Sequence, residues 1–307
     1  MSAADKKIAS PAQDDWVPIR EISRVTGVNT VTLRAWERRY GLLVPRRTDK
    51  GHRLYNSDDI FRVQEIQRWL GRGLAIGKVK ALLANAEREH EFPPIDSVWL
   101  TLVEQFYIAL GNFQRHSLER LIEETFALYP TEMLADYVVQ PVLQALQGDE
   151  PGKAAQRAFF TAVLQEYLVA GQQRLRQSAQ RAGVVLVSIG ANENPLLLHT
   201  LNYSLLVHQY QAEYLGYLEW RDIQICTEAL SAKILVIIGY ENLNAGGLKL
   251  QLEVWRERSG IPVIVAGNLA QVFDTSVTDP VSGVLTCEHH QQVLAAIKQL
   301  LKADQKG

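Results

Sequence analysis

The residues with the clearest chemical potential are the arginines, lysines and histidines concentrated between positions 29 and 55. This stretch reads NTVTLRAWERRYGLLVPRRTDKGHRLY. Guanidinium and ammonium groups bind phosphate oxygens, and arginine also pairs with the edges of guanine bases. From Pro18 to His90 the chain has 15 Lys and Arg against 8 Asp and Glu, a net charge of +7, whereas the remainder carries −9. The basic part of the chain is therefore suited to binding a polyanion, and the acidic remainder to a different function.

Two helices separated by a short glycine-containing turn are predicted to position the first of these cations. The first helix ends at Gly27, and Asn29 or Thr30 caps the second by accepting a backbone N–H. Arg34 and Arg38, four residues apart, share one face of the second helix. Its inward apolar face consists of Leu33, Trp36 and Tyr40. This pattern predicts a helix-turn-helix whose second helix enters the major groove of DNA.

A β-hairpin is predicted directly after these helices. The strand-like runs at 42–44 and 53–55 flank Asp49-Lys50-Gly51, which is a turn signal. Ser57 is predicted to cap a third helix, and a fourth helix runs from Ile76 to Ala86. The hairpin would form a wing beside the groove and contact phosphates through Arg46, Arg47, Lys50, His52 and Arg53.

The order and the amino-acid sequences of these motifs resemble the winged helix-turn-helix of the MerR family of bacterial transcription regulators. The matching runs, TLRAWERRYGLL and PRRTDKGHRLY within residues 16–90, are closest to its MlrA/CarH-like branch. The resemblance implies a homodimer on double-stranded promoter DNA, which an activator distorts so that RNA polymerase can engage it. Ala35 departs from the family, where many relatives carry an aromatic residue that touches the DNA backbone. With the resemblance included, the expected DNA-binding residues are Thr32, Arg34, Arg38, Arg46, Arg47, Lys50, His52, Arg53 and Tyr55.

After the basic segment, the spacing of the apolar residues along the chain changes twice. Residues 97–181 show the helical period in four segments, which predicts a four-helix bundle. From residue 182 to 303 apolar strands alternate with helices, which predicts a flavodoxin/Rossmann-like doubly wound parallel sheet. The expected fold class is therefore multidomain α + α/β. Its predicted segments are a disordered arm (1–15), the winged helix-turn-helix domain (16–89), a linker (90–96), the bundle (97–181) and the α/β domain (182–303).

A bundle followed by such a sheet, behind a MerR-type domain, resembles the cobalamin-binding module of this branch. That module uses a DxHxxG-type loop after its first strand, whose histidine coordinates cobalt. The loop here reads GANENPLLL, and His199 lies further on, inside the predicted helix. Where the family has a Glu-His pair in the bundle, this chain has Glu166 followed by Tyr167. The expectation is therefore that cobalamin is not bound and that the chain has no cofactor or metal.

A different ligand pocket is a second hypothesis. Doubly wound sheets hold ligands at the carboxyl ends of their strands. The polar residues predicted there are Asn192, Glu193, Asn194, Glu241, Asn242, Asn268 and His289. They could bind a small molecule such as a nucleotide second messenger. Loops at strand ends are polar in any case, so control by a regulatory protein partner remains open.

The leading interpretation is a DNA-binding transcription regulator, which the resemblance favours as an activator, with no catalytic residues. An enzyme using the α/β domain is the alternative from another class, but no nucleophile–base pair, metal spacing or carboxylate pair supports it. An adaptor that has lost DNA binding conflicts with the intact wing. No apolar run is long enough to cross a bilayer, and the two cysteines form no CxxC pair. These observations lead us to expect a cytoplasmic protein without a membrane partner.

Overall fold

The computed structural model describes residues 16–84, 97–177, 179, 181–189, 195–239, 245–267, 270 and 284–304. They form an N-terminal module (16–84), a helical module (97–177) and an α/β module (181–304). The arm expected at 1–15 and the linker expected at 90–96 lie outside the described residues, as do the last two residues of the fourth predicted helix.

The N-terminal module is a helix-turn-helix with a small antiparallel sheet. Its elements are β1 (Val17–Pro18), α1 (Ile19–Thr26), α2 (Thr30–Tyr40), β2 (Arg46–Arg47), β3 (Arg53–Tyr55), α3 (Ser57–Gly71) and α4 (Ile76–Ala84). The sheet order is β1-β3-β2, so the predicted hairpin gains a third strand. The prediction of a strand at 42–44 was wrong, because the pairing with β3 begins only at Arg46; Leu42 and Leu43 lie in the core without strand pairing.

Local side-chain contacts fix where these helices begin and end. Asn29 caps α2 by accepting the backbone N–H of Val31 at 3.0 Å. Gly27 and Gly41 end α1 and α2 in the left-handed conformation, which glycine adopts without steric cost. The cap of α3 was placed one residue too late, since Asn56 accepts the N–H of Asp59 and donates its own N–H to the Asp59 carboxylate.

The helical module confirms the predicted four-helix bundle, with one irregularity. Its helices are α5 (Val98–Gly111), α6 (Arg115–Leu128), a third helix built from α7 (Thr131–Leu134), a π-helical turn (Ala135–Val139) and α8 (Gln140–Ala145), and α9 (Lys153–Arg176). Pro141 stands just after the π-helical turn and has no N–H to donate to the preceding turn. The wider turn accommodates this missing hydrogen bond.

The α/β module confirms the predicted doubly wound sheet. Its elements are β4 (Arg181–Ile189), α10 (Leu196–Val207), β5 (Tyr210–Tyr217), α11 (Trp220–Ala229), β6 (Ile234–Gly239), α12 (Ala245–Ser259), β7 (Val263–Ala266), β8 (Val284–Cys287) and α13 (His290–Asp304). All neighbouring strands are parallel, in the order β5-β4-β6-β7-β8. One face packs on α10 and α13 and the other on α11 and α12, so apolar strand residues are buried on both sides.

The N-terminal module packs on the helical module through one continuous apolar core. The indole N–H of Trp36 in α2 donates to the carbonyl of Leu128 at 2.8 Å. In the opposite direction, the indole of Trp99 in α5 donates to the carbonyl of Leu70 at 3.1 Å. Two tryptophans thus satisfy their polar group across the same interface, which fixes the orientation of the N-terminal module.

The helical and α/β modules meet at two buried carboxylates, Glu132 and Asp136. Asp136 accepts the backbone N–H of His290 at 2.9 Å, which caps α13, and lies 3.1 Å from the His290 ring. Glu132 lies 3.6 Å from the ring of His208 and accepts the hydroxyl of Ser204 at 3.2 Å. Burial acts to raise the pKa of both carboxyls, but the hydrogen bonds and charges of the two histidines hold each pKa below its ordinary value.

His208 also contacts the N-terminal module, at the turn between α1 and α2. A Cβ placed on Gly27 would lie 1.7 Å from Cε1 of His208, so only glycine leaves room for the imidazole. The next residue, Gln209, donates to the carbonyl of Arg20 at 3.3 Å. All three modules therefore meet around His208.

Replacing Gly27 with alanine is expected to destabilise the protein more than the same change at Gly51. Both glycines are left-handed, with φ of 77° and 79°, so both changes carry about 1–2 kcal/mol of backbone strain. An added methyl meets His208 at Gly27 but nothing within 4 Å at Gly51. Chemical unfolding should show roughly 1–3 kcal/mol of additional loss for Gly27→Ala. Equal losses would contradict the packing of His208 against the turn.

Candidate nucleic-acid interface

The second helix of the helix-turn-helix divides cleanly into a buried and an exposed face. Leu33 and Trp36 are fully buried against α6 and the rest of the module. Arg34 and Arg38 are exposed on the opposite side, as the sequence pattern predicts, and Arg39 is exposed beside them. Because the same helix is fixed by its buried face, the exposed arginines project from a rigid support.

The wing continues this basic surface. Arg46 and Arg47 in β2 are exposed, and the Arg46 guanidinium lies 5.6 Å from the centre of the Trp16 ring, within cation–π range. Lys50 and His52 are exposed at the tip, where the Thr48 N–H donates to the His52 carbonyl at 2.9 Å. The turn therefore presents its cations from an ordered hairpin.

A single carboxylate, Glu37, joins the wing to the second helix. It accepts hydrogen bonds from both Arg47, at 2.8 Å, and Arg53, whose Nη2 lies 3.2 Å from it and whose Nε also donates. The hydrogen bond to Glu37 raises the pKa of Arg53 above its ordinary value. The Arg53 side chain is only 12% exposed, whereas that of Arg47 is 50% exposed. Arg53 therefore positions the wing, and Arg47 keeps part of its guanidinium open to solvent.

Two residues expected at the interface are buried instead, and the structure corrects their assignment. Thr32 and Tyr55 are both 0% exposed and belong to the core of the N-terminal module. Burial, with the charge of Glu37, raises the pKa of Tyr55 to about 12, so the phenol is neutral. Tyr55 lies two residues after Arg53 on the same face of β3, the face that turns inward. Neither side chain can touch a nucleic acid in this arrangement.

The candidate ligand pocket is only partly described. Asn192, Glu193, Asn194, Glu241, Asn242 and Asn268 all lie outside the described residues. His289 is exposed at the carboxyl end of β8. Nearby, a cavity of about 120 Å³ lies between α8 and the ends of β6, β7 and β8, and Gln140, Cys287 and His290 help to line it. Burial raises the pKa of the Cys287 thiol to about 11, so it is uncharged.

The described side chains nearest to the positions that hold a corrinoid in the resembling family make contacts within the protein. Glu166 is 62% exposed on the bundle surface, where it pairs with Arg115. Tyr167 packs against Phe126, with ring centres 5.1 Å apart. His199 lies edge-on to Tyr214, and burial lowers its pKa, so the imidazole is neutral.

The described part of the chain has neither a metal-binding cluster nor a membrane-spanning helix. No three His, Cys, Asp or Glu side chains there are grouped closely enough to hold a metal ion. None of the described helices is both long and apolar enough to cross a bilayer.

Replacing Glu37 with alanine is expected to lower the free energy of unfolding by about 1.5–3 kcal/mol, because a mostly buried Arg53 loses its charged acceptor. Glu65→Ala is the matched control. Its carboxylate lies 3.9 Å from Arg68, with both side chains at least half exposed, and its loss should cost less than about 1 kcal/mol. Urea unfolding of both variants measures the difference. A Glu37→Ala loss no larger than that of the control would contradict the role of this carboxylate.

Comparison with known sequences agrees with the geometry of the N-terminal module. A family model described as the MerR HTH family regulatory protein matches residues 17–86. The HTH-type transcriptional regulator MlrA of Escherichia coli strain K12 is 39% identical over 150 residues, 49% of this chain and 60% of the relative. The HTH-type transcriptional repressor CarH of Myxococcus xanthus is 28% identical over 165 residues, 50% of this chain and 52% of the relative. The chain thus spans between half and three fifths of the length of these relatives.

Among solved structures, the monomethylamine corrinoid protein of Methanosarcina barkeri aligns with 66% of this chain and 99% of its own, at 14% identity and a TM-score of 0.49. The strand order β5-β4-β6-β7-β8 by itself identifies the α/β module as a doubly wound sheet. The N-terminal module is thus similar to the MerR HTH family, and about half of the chain is similar to the regulators MlrA and CarH.

Proposed function

We propose that the protein is a sequence-specific, DNA-binding transcription regulator. The observation that carries this proposal is the continuous exposed basic surface formed by the second helix and the wing, with Arg34, Arg38 and Arg46 presented from a rigid core. A helix of this size fits the major groove, while cations on the wing reach phosphates beside it. The relatives named as transcription regulators support the same function.

The role proposed for each basic residue follows from the exposure of its side chain. Arg34 and Arg38 are proposed to read base edges, where arginine pairs with guanine. The wing residues proposed to contact phosphates are Arg46, Arg47, Lys50 and His52. Arg53 acts as a positioning residue through Glu37. Phosphate contacts set the register of the protein on the duplex, and base contacts supply sequence specificity.

Assembly and regulation are also proposals. A palindromic site would be bound by a homodimer, and an activator of this type would distort promoter DNA for RNA polymerase. The domains proposed are 16–89, 97–181 and 182–303, with the last two setting the position of the first. The relatives are named as regulators and not as enzymes, so catalysis is not part of the proposal. A protein acting on bacterial promoters would work in the cytoplasm.

Control by a small ligand is the second candidate for the C-terminal half. The cavity at the strand ends supports it, because doubly wound sheets bind ligands there. Control by a protein partner is the alternative. We propose that the ligand is not a corrinoid, since the contacts made by Glu166 and Tyr167 do not suit that macrocycle.

Replacing Arg46 with alanine should weaken binding to DNA of any sequence and reduce its dependence on salt. Loss of one phosphate contact lowers the slope of log K against log salt by about 0.9. Fluorescence anisotropy with a random-sequence duplex, over a salt series, measures that slope. Arg157→Ala, on α9 outside the basic surface, serves as the control and should leave the slope unchanged. An unchanged slope for Arg46→Ala would contradict the assignment of the wing.

Purified protein mixed with hydroxocobalamin is expected to emerge from gel filtration without it. The visible absorbance of the corrin ring then follows the small-molecule fraction. Bovine serum albumin, run under the same conditions, controls for nonspecific retention. Elution of corrin with the protein in near-equal amounts would show that the α/β module has another way of holding the macrocycle.

A further inference from the structure

Val31 is an apolar residue on the face that the second helix presents to solvent. It is 52% exposed, whereas its neighbours Thr32 and Leu33 are fully buried. Valine is a weak helix former, because its β-branched side chain loses rotamer freedom in a helix. A side chain that stays half exposed also gains only part of the free energy that burial provides. Helix formation and core packing therefore give little reason for an aliphatic residue at this position.

Val31 lies on the same face of α2 as the two arginines proposed to read base edges. An α-helix turns by about 100° per residue, so one arc of about 100° contains Val31, Arg34, Ala35 and Arg38. Val31 and both arginines are exposed, and Ala35 is half-buried. The first turn is fixed by its cap, because Asn29 accepts the backbone N–H of Val31 at 3.0 Å. Val31 is therefore held beside Arg34 by an ordered helix end.

The small side chain of Ala35 keeps Val31 accessible. Side chains in an α-helix lean towards its N-terminus, so the side chain at position 35 points towards the turn that contains position 31. A large side chain at position 35 would cover the methyl groups of Val31, whereas the single methyl group of Ala35 is too short to do so. Val31 and Ala35 together form a small apolar spot, with Arg34 and Arg38 along one side of it.

The thymine 5-methyl is the apolar group that the major groove offers to such a spot. The other base-edge groups in that groove are hydrogen-bond donors and acceptors, which an aliphatic side chain cannot pair with. Three residues advance a helix by about 4.5 Å, against about 3.4 Å between successive base pairs. If Arg34 pairs with a guanine, a base pair one or two steps from it lies within reach of Val31.

We propose that Val31 is a specificity-determining residue, whose methyl groups contact the 5-methyl of a thymine one or two base pairs from the guanine bound by Arg34. This inference rests on the proposed function, because it requires the second helix to lie in the major groove. Val31 takes the place of the DNA contact expected of Thr32, whose side chain is buried in the core. Arg34 and Val31 then read nearby base pairs by different chemistry, one through hydrogen bonds and the other through apolar contact.

Replacing thymidine with deoxyuridine tests this contact, because the change removes the 5-methyl group and leaves base pairing intact. The duplex is a half-site that the full chain selects from a random-sequence library. Each thymidine of that half-site is replaced in turn, and affinity is measured by fluorescence anisotropy. With the unaltered chain, replacement of one thymidine near a guanine should weaken binding by about three- to tenfold, as expected for loss of one buried methyl group.

Val31→Ala should abolish most of this discrimination, so that the thymidine and deoxyuridine duplexes differ by about twofold or less at that position. Alanine is the best helix former, so this variant keeps α2 folded. Val254→Ala is the matched control, because Val254 is also an exposed valine but lies on α12, outside the N-terminal module. It should retain the full difference between the two duplexes.

The inference is overturned if every thymidine of the selected half-site tolerates deoxyuridine, or if Val31→Ala discriminates as strongly as the unaltered chain. A selected half-site without a thymine within two base pairs of a guanine overturns it as well. In each of these cases sequence-specific binding, and with it the proposed function, still stands. If the library yields no preferred sequence, the proposed function itself fails, and the role of Val31 fails with it.

Discussion

The arrangement of the whole chain depends on two ionised carboxylates buried one helical turn apart. Glu132 and Asp136 lie on the third helix of the bundle, and each is matched by a histidine of the α/β module. A buried charge that loses its partner costs about 3–5 kcal/mol, so any motion that separates these modules must either rehydrate the carboxylates or protonate them. His208 extends this constraint to the N-terminal module, because the ring that faces Glu132 also packs on Gly27 of the helix-turn-helix. The position of the basic surface is thereby tied to the α/β module through His208 and the neighbouring Gln209.

A second, smaller ion cluster fixes the position of the wing relative to the second helix within the N-terminal module. Glu37 lies on the helix that bears Arg34 and Arg38, yet it turns towards the wing and accepts hydrogen bonds from Arg47 and Arg53. Because of this contact, the Arg53 side chain is mostly buried and is not part of the exposed basic surface. The contact also keeps a fixed separation between the wing and the helix, which the proposed binding to the grooves of a duplex requires. Positive charge at this surface is thus divided between groups that can bind and one that positions them.

Local patterns explain why so much of the fold could be predicted from the sequence. The helix-turn-helix, the four helices and the parallel sheet follow from hydrophobic period, glycine stops and caps, all of which act within a few residues. Asp136 and His290 are 154 positions apart in the sequence, so no local sequence pattern indicates that they pair. Burial of Thr32 and Tyr55 was missed for a similar reason, because residue type favoured DNA contact and only packing decides the inward direction. Glu37 could have been noticed, since it is the one acidic residue between positions 22 and 48.

The packing of the N-terminal module also restricts how the rest of the chain can control it. The helical module covers the face of α2 that contains Trp36, and the α/β module touches the turn at Gly27. Arg34, Arg38 and the exposed wing residues Arg46, Arg47, Lys50 and His52 are not covered by the described residues of the helical and α/β modules. A signal received by the α/β module would therefore act on the direction of that surface and on its distance from the surface of a second copy. For a protein that binds two half-sites, a change of direction is sufficient, because half-site spacing is fixed by the helical repeat of DNA.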